Sequence, residues 1–69
     1  MTGGGTMFIS CRAFDAIQQE RGQVDPYVFE VDGVERSFPV GKLAELAPAE
    51  HCIMIKNGVA TLAYVGDDE

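Results

Sequence analysis

Two stretches of the chain, one alternating apolar and polar positions with a period of two and one nearly continuously apolar, are each centred on a tight-turn dipeptide. In residues 27–38, YVFEVDGVERSF, the centre is Asp32-Gly33. In residues 51–65, HCIMIKNGVATLAYV, it is Asn57-Gly58. Both dipeptides tolerate the positive φ values of a two-residue reversal, so both stretches are predicted hairpins. In the first, Val31 faces Val34, Phe29 faces Arg36 and Tyr27 faces Phe38 on one side. Glu30 faces Glu35 and Val28 faces Ser37 on the other. Two like charges directly opposite are unfavourable unless solvated, which turns that second side to water. Asp25-Pro26 and Pro39 bound the hairpin.

The second hairpin is apolar on both sides. One side carries Ile55 with Ala60, Ile53 with Leu62 and His51 with Tyr64. The other carries Lys56 with Val59, Met54 with Thr61 and Cys52 with Ala63, then Val65. Such a hairpin either lies between two layers or covers something outside its own domain. The first side is expected to pack on the helices and the second to be a contact surface.

A helical period governs residues 10–21. Ser10 is a good N-cap, Phe14 and Ile17 flanked by Ala13 and Ala16 form a narrow apolar stripe, and Gly22 is a stop. Asp15, Gln18, Gln19 and Glu20 are assigned to the wet side, and Arg21 complements the helix dipole. A short helix is expected over 40–47, with Leu43, Leu46 and Ala47 inward and Pro48 ending it. Residues 7–9, MFI, are either a short strand or an apolar lead-in to the helix. The fold class expected is α+β: a small four-stranded, mainly antiparallel sheet made of the two hairpins, with helix 10–21 on one face. Residues 7–66 form the single domain, 1–6 a flexible glycine-rich terminus and 67–69 an acidic tail.

Composition narrows the function. Sixty-nine residues make one domain with a marginal core. The net charge of −6, from 11 acidic and 5 basic residues, argues against a phosphate-backbone binder. Two cysteines allow one bridge, Cys11–Cys52, or two free thiols. No basic segment leads into an apolar run at the start, and no run reaches membrane-spanning length. The expectation is therefore a cytoplasmic protein with reduced thiols, not a membrane protein.

Candidate chemistry is sparse. Cys11, His51 and Cys52 are the soft metal ligands, but adjacent strand residues point to opposite faces and a fourth ligand is missing. Cys11, His51 and Asp15 could compose a nucleophilic set, with the thiolate favoured in a helix's first turn. Nothing in the chain resembles an oxyanion loop, and so short a body has little room for a walled pocket. His51 is better read as a strand-end residue stacked beside Tyr64. The run Gly3-Gly4-Gly5 lacks the strand before and the Gly-Lys-Ser/Thr after that a phosphate loop needs. Tyr27, Phe29 and Phe38 could stack bases, yet with Arg36 as their sole basic neighbour they read as core. Glu30 and Glu35 read as a solvated strand face. No catalytic residue, cofactor or metal is assigned.

Residues 27–65, hairpin–helix–hairpin, look like a shortened β-grasp, without the terminal Gly-Gly on which the small sulfur carriers act. Residues 14–40, FDAIQQERGQVDPYVFEVDGVERSFPV, resemble small tail-assembly and virion-morphogenesis proteins of actinobacterial phages. These open with a short helix, then an aromatic-rich strand, "VDG" and a strand closing at "FP". The resemblance implies a phage-encoded, non-enzymatic protein working by contact in the host cytoplasm. The expected function is thus an adaptor or assembly protein binding a protein partner, or itself as a homo-oligomer, through hairpin 51–65. Met54, Lys56, Val59, Thr61, Tyr64 and Val65 are the expected contact residues. Two alternatives come from other classes: a thiol-dependent enzyme or redox protein using Cys11, and an acidic inhibitor that mimics nucleic acid toward a basic protein.

Overall fold

A computed structural model of the chain describes residues 5–65. The element order is β1 (Thr6–Ile9), α1 (Cys11–Glu20), β2 (Tyr27–Val31), β3 (Val34–Phe38), α2 (Leu43–Leu46), β4 (His51–Lys56) and β5 (Val59–Tyr64). The fold is a small α+β unit whose strands all pair antiparallel.

Both hairpins form in the expected registers. β2 and β3 pair from Tyr27–Phe38 to Val31–Val34, and β4 and β5 pair from His51–Tyr64 to Lys56–Val59. The turns have the predicted chemistry: φ is +54° at Asp32 and +81° at Gly33, and +54° at Asn57 and +77° at Gly58. Two successive residues with positive φ match the right-handed twist of the flanking strands.

The sheet differs from the expected single four-stranded one. Among the described residues there are five strands in two sheets, one of order β1-β4-β5 and the other the ribbon β2-β3. Residues 7–9 are the strand alternative, and β1 lies antiparallel on β4 with Met7 opposite Ile55 and Ile9 opposite Ile53. β4 therefore has ladder partners on both edges, and no edge of it is left for the first hairpin. Because the two hairpins do not share a sheet, the β-grasp arrangement does not hold. Thr6 belongs to β1, which moves the expected boundary of the flexible terminus; the rest of that terminus before Gly5, and the acidic tail 67–69, lie outside the described residues.

The inner faces of both sheets feed one core of Cys11, Phe14, Tyr27, Phe29, Phe38, Leu43 and Ile53. Phe38, Leu43 and Ile53 are the side chains most completely removed from water, at 1% exposure or less. The aromatic rings stand at tilted or offset angles, with Phe14 centred 5.6 Å from Tyr27 and 6.3 Å from Phe29. Those separations suit the quadrupoles of the rings.

α1 is held at both ends by its own sequence. The Ala13 amide donates to the Ser10 hydroxyl at 3.1 Å, capping the N-terminus. At the other end Gly22 (φ +86°) lets its amide reach the Gln19 carbonyl at 3.0 Å while the Gln23 amide reaches that of Gln18 at 2.9 Å. That is a Schellman closure. The helix is rotated from the expected stripe, however. Cys11, Phe14 and Asp15 are buried, while Ile17, Ala13 and Ala16 are exposed. The i, i+3, i+4 spacing of the inward set is helical, but one of its three members is a carboxylate. α2 is shorter than expected, Leu43–Leu46, with Leu43 and Ala47 inward and Leu46 half exposed. No helix among the described residues is long and apolar enough to cross a membrane.

Candidate functional site

Asp15 is the reason for the rotation. It is 5% exposed and accepts hydrogen bonds from the Tyr27 hydroxyl (2.7 Å), the Gly41 amide (3.1 Å), the Leu43 amide (3.2 Å) and Gln19 Nε2 (3.4 Å). One carboxylate thereby ties α1 to β2 and to the connection leading into α2. Burial pushes its pKa up, but the donors from Tyr27, Gly41, Leu43 and Gln19 outweigh that and hold it below the ordinary carboxylate value. Tyr27 is the complement. Burial first, then its bond to Asp15 and the nearby negative charge, push the phenol up to about 12. Asp15 was expected on the wet side. The overlooked signal is Tyr27 itself, whose hydroxyl on a buried strand face requires a partner.

With Asp15 committed, the nucleophilic set of Cys11, His51 and Asp15 is not assembled. The Cys11 thiol is buried at the base of α1 and donates to the His51 carbonyl at 3.7 Å, not to its ring. Burial, and after it the neighbouring Cys52, raises its pKa. An activated thiol needs the opposite shift. His51 Nδ1 stands 3.0 Å from the Ala49 carbonyl, an acceptor alone, so Nδ1 carries a proton. The imidazole meets Tyr64 edge-on, with centroids 5.4 Å apart. Cys11 and Cys52 are both free thiols. Among the described residues no three of His, Cys, Asp and Glu gather in metal-binding geometry, and no pocket opens. The aromatic residues Tyr27, Phe29 and Phe38 are core, and Arg36 lies over the Phe38 ring at 5.5 Å.

The remaining feature is the outer face of the three-stranded sheet. Register places Lys56 beside Val59, Met54 beside Thr61, and Cys52 beside Ala63, with Ile53 and Ile55 turned the other way into or against the core. Val59 is 60% exposed and Val65, just past β5, 51%. Met54 is half-buried, while Lys56 and Thr61 are exposed. Tyr64, exposed and paired with His51, alternates onto the opposite face. One residue of this face was missed. Phe8, 57% exposed, stands opposite Met54 and extends the row Met54–Thr61 onto β1. Its role depends on pairing across more than forty residues of sequence, which local periodicity does not carry.

Charge is distributed unevenly around this face. Of the chain's 11 acidic residues none falls within β1, β4 or β5, and the one formal cation there is Lys56. The ribbon β2-β3, by contrast, exposes Glu30 and Glu35 opposite one another. No family model matches the chain, and no curated protein or solved structure matches it.

Proposed function

We propose that this is a small non-enzymatic adaptor or assembly protein that binds a protein partner, or itself, through the outer face of hairpin β4-β5. The observation that carries the reading is that Val59 and Val65 stay at least half exposed on a face with no carboxylate in its strands. Their sheet already commits the middle of its other face to the core, through Ile9, Ile53, Ile55, Ala60 and Leu62. An antiparallel sheet commonly leaves one face to solvent, but that face is then polar. Here Met54, Val59 and Val65 supply apolar contact area, Thr61 a hydroxyl, and Lys56 a charge at the tip that disfavours misregistered pairing. The resemblance of residues 14–40 to actinobacterial phage morphogenesis proteins supports a phage-encoded assembly role in the host cytoplasm.

Val59→Asp tests the reading. The monomer keeps its melting temperature within a few degrees, because the side chain is already wet, while association weakens tenfold or more. Unfolding of the variant monomer would assign Val59 to the core and end the proposal.

A further inference from the structure

Asn57 is the single asparagine of the chain, and asparagine is a chemically labile residue. It leads the turn at the tip of β4-β5, where Lys56, Asn57, Gly58 and Val59 are all exposed. Strand pairing stops at Lys56 and Val59, so the Gly58 amide lies outside the ladder. No backbone hydrogen bond among the described residues engages that amide. No side-chain hydrogen bond among them holds the Asn57 carboxamide. Nothing comes within 4 Å of where a Cβ would stand on Gly58, so its nitrogen is open to approach. An unengaged backbone N–H one residue after an unheld carboxamide is a nucleophile beside its electrophile.

We propose that Asn57 is a self-modification site, at which the turn rewrites its own backbone. The Gly58 nitrogen gives up its proton and bonds to Asn57 Cγ. The Cγ–Nδ2 bond breaks, and ammonia leaves after taking up a proton from solvent. A cyclic imide then spans Asn57 and Gly58. Water opens it at one of its two carbonyls. Attack at the side-chain carbonyl breaks the new Cγ–N bond and leaves aspartate in an ordinary chain. Attack at the main-chain carbonyl breaks the original peptide C–N bond and leaves isoaspartate, with the chain running through Cβ and Cγ. Either way one water is consumed, one ammonia is released, and no oxidant or reductant enters. Closure requires a swing about the Asn57 Cα–C bond, and exposed loop tips open at little cost.

The other turn shows what each product does. Asp32-Gly33 makes the same reversal, with φ +54° at Asp32 as at Asn57. Aspartate at position 57 therefore leaves the hairpin intact. Isoaspartate adds a backbone carbon to a two-residue turn whose length sets the strand register, so Lys56 and Val59 no longer meet. Both products bring a carboxylate beside Lys56, at the tip of a sheet whose strands carry none. Asp32 is spared, because a carboxylate resists attack and has no ammonia to lose. The site is thus a clock on the second hairpin and not on the first, whatever the outer face binds.

Incubation of the folded chain at neutral and mildly alkaline pH, with peptide mapping that separates isoaspartate from aspartate, tests this. Conversion is expected at Asn57, with isoaspartate the larger product. Its rate rises with hydroxide and lies within about tenfold of the rate in urea. Asp32, Gln18, Gln19 and Gln23 stay unchanged over the same period. In urea, where folding plays no part, Gly58→Ala slows the reaction severalfold because its methyl crowds the nitrogen. Hydrogen exchange then reads the consequence: the isoaspartyl form loses protection at the Lys56 and Val59 amides, and Asn57→Asp keeps it. A folded chain still intact when the urea-unfolded chain has fully converted overturns the site. Aspartate without isoaspartate, or a Gly58→Ala chain as fast as the parent in urea, overturns the cyclic route. Equal protection in the isoaspartyl form and in Asn57→Asp overturns the clock.

Discussion

The two hairpins are built alike and end differently. Each has a two-residue turn with both φ values positive, and the strands are five residues long in one and six in the other. Each also turns one face into the same core. Their outer faces diverge. β2-β3 shows water Glu30 and Glu35, a pair whose repulsion is tolerable only in solvent, and its outer edge strand carries Glu35 and Arg36 before Pro39. β4-β5 shows water Met54, Val59 and Val65. The lesson is that turn and register are local properties, while the fate of a face is decided by what stands on it. Both hairpins expose valines, Val28 and Val34 in one and Val59 and Val65 in the other, but only the first sets a facing pair of carboxylates beside them.

That contrast can be pressed at four points. The largest effect is expected at Ile53, which is 0% exposed on the inner face of β4. Ile53→Ala should cost about 3–4 kcal/mol in urea unfolding, against less than about 0.5 kcal/mol for Val59→Asp a few residues away. Equal costs would erase the distinction between the two faces. Next comes Asp15→Ala, which strands the Tyr27 hydroxyl and two backbone amides; about 2–3 kcal/mol is expected, with α1 and β2 losing protection in hydrogen exchange together.

The third is a pH profile. Tyr27 binds its proton more tightly folded than unfolded, so its contribution is complete below its ordinary value of 10.0 and is lost as pH rises toward about 12. Over that window stability should fall by about 2–3 kcal/mol, and Tyr27→Phe should flatten that limb. Asp15 works in the other direction. Its folded pKa is depressed, so its contribution is complete above the ordinary carboxylate value and is lost as pH falls through the lowered one. Smallest is Glu35→Lys, which turns the facing pair with Glu30 attractive and should add about 0.5 kcal/mol, diminishing in salt.

Much of this was legible in the chain because it is local. Asp32-Gly33, Asn57-Gly58, the Ser10 cap and the Gly22 stop each act within a few residues, and the structure places all four where the pattern did. What escaped is long-range. Whether residues 7–9 formed a strand depended on β4, and the division into two sheets depended on β1 claiming β4's edge first. Asp15 read as a surface residue because two of its donors, the amides of Gly41 and Leu43, are invisible to any count of side chains, and a third, the Tyr27 hydroxyl, arrives from another element. For the proposed contact face, the alternation along β4 and β5 set out Met54, Val59, Thr61 and Lys56 on one side. Phe8 lay outside that view, and Tyr64 belongs to the other side.

The pairing of β1 with β4 also orders events during synthesis. Thr6–Ile9 leaves the ribosome well before its ladder partners, Ile53 to Lys56, which follow it by more than forty residues. Cooperative closure of the three-stranded sheet therefore waits until β4 and β5 have been made. Until then Met7, Phe8 and Ile9 have no ladder partner, so three consecutive apolar residues wait in water for a strand made much later.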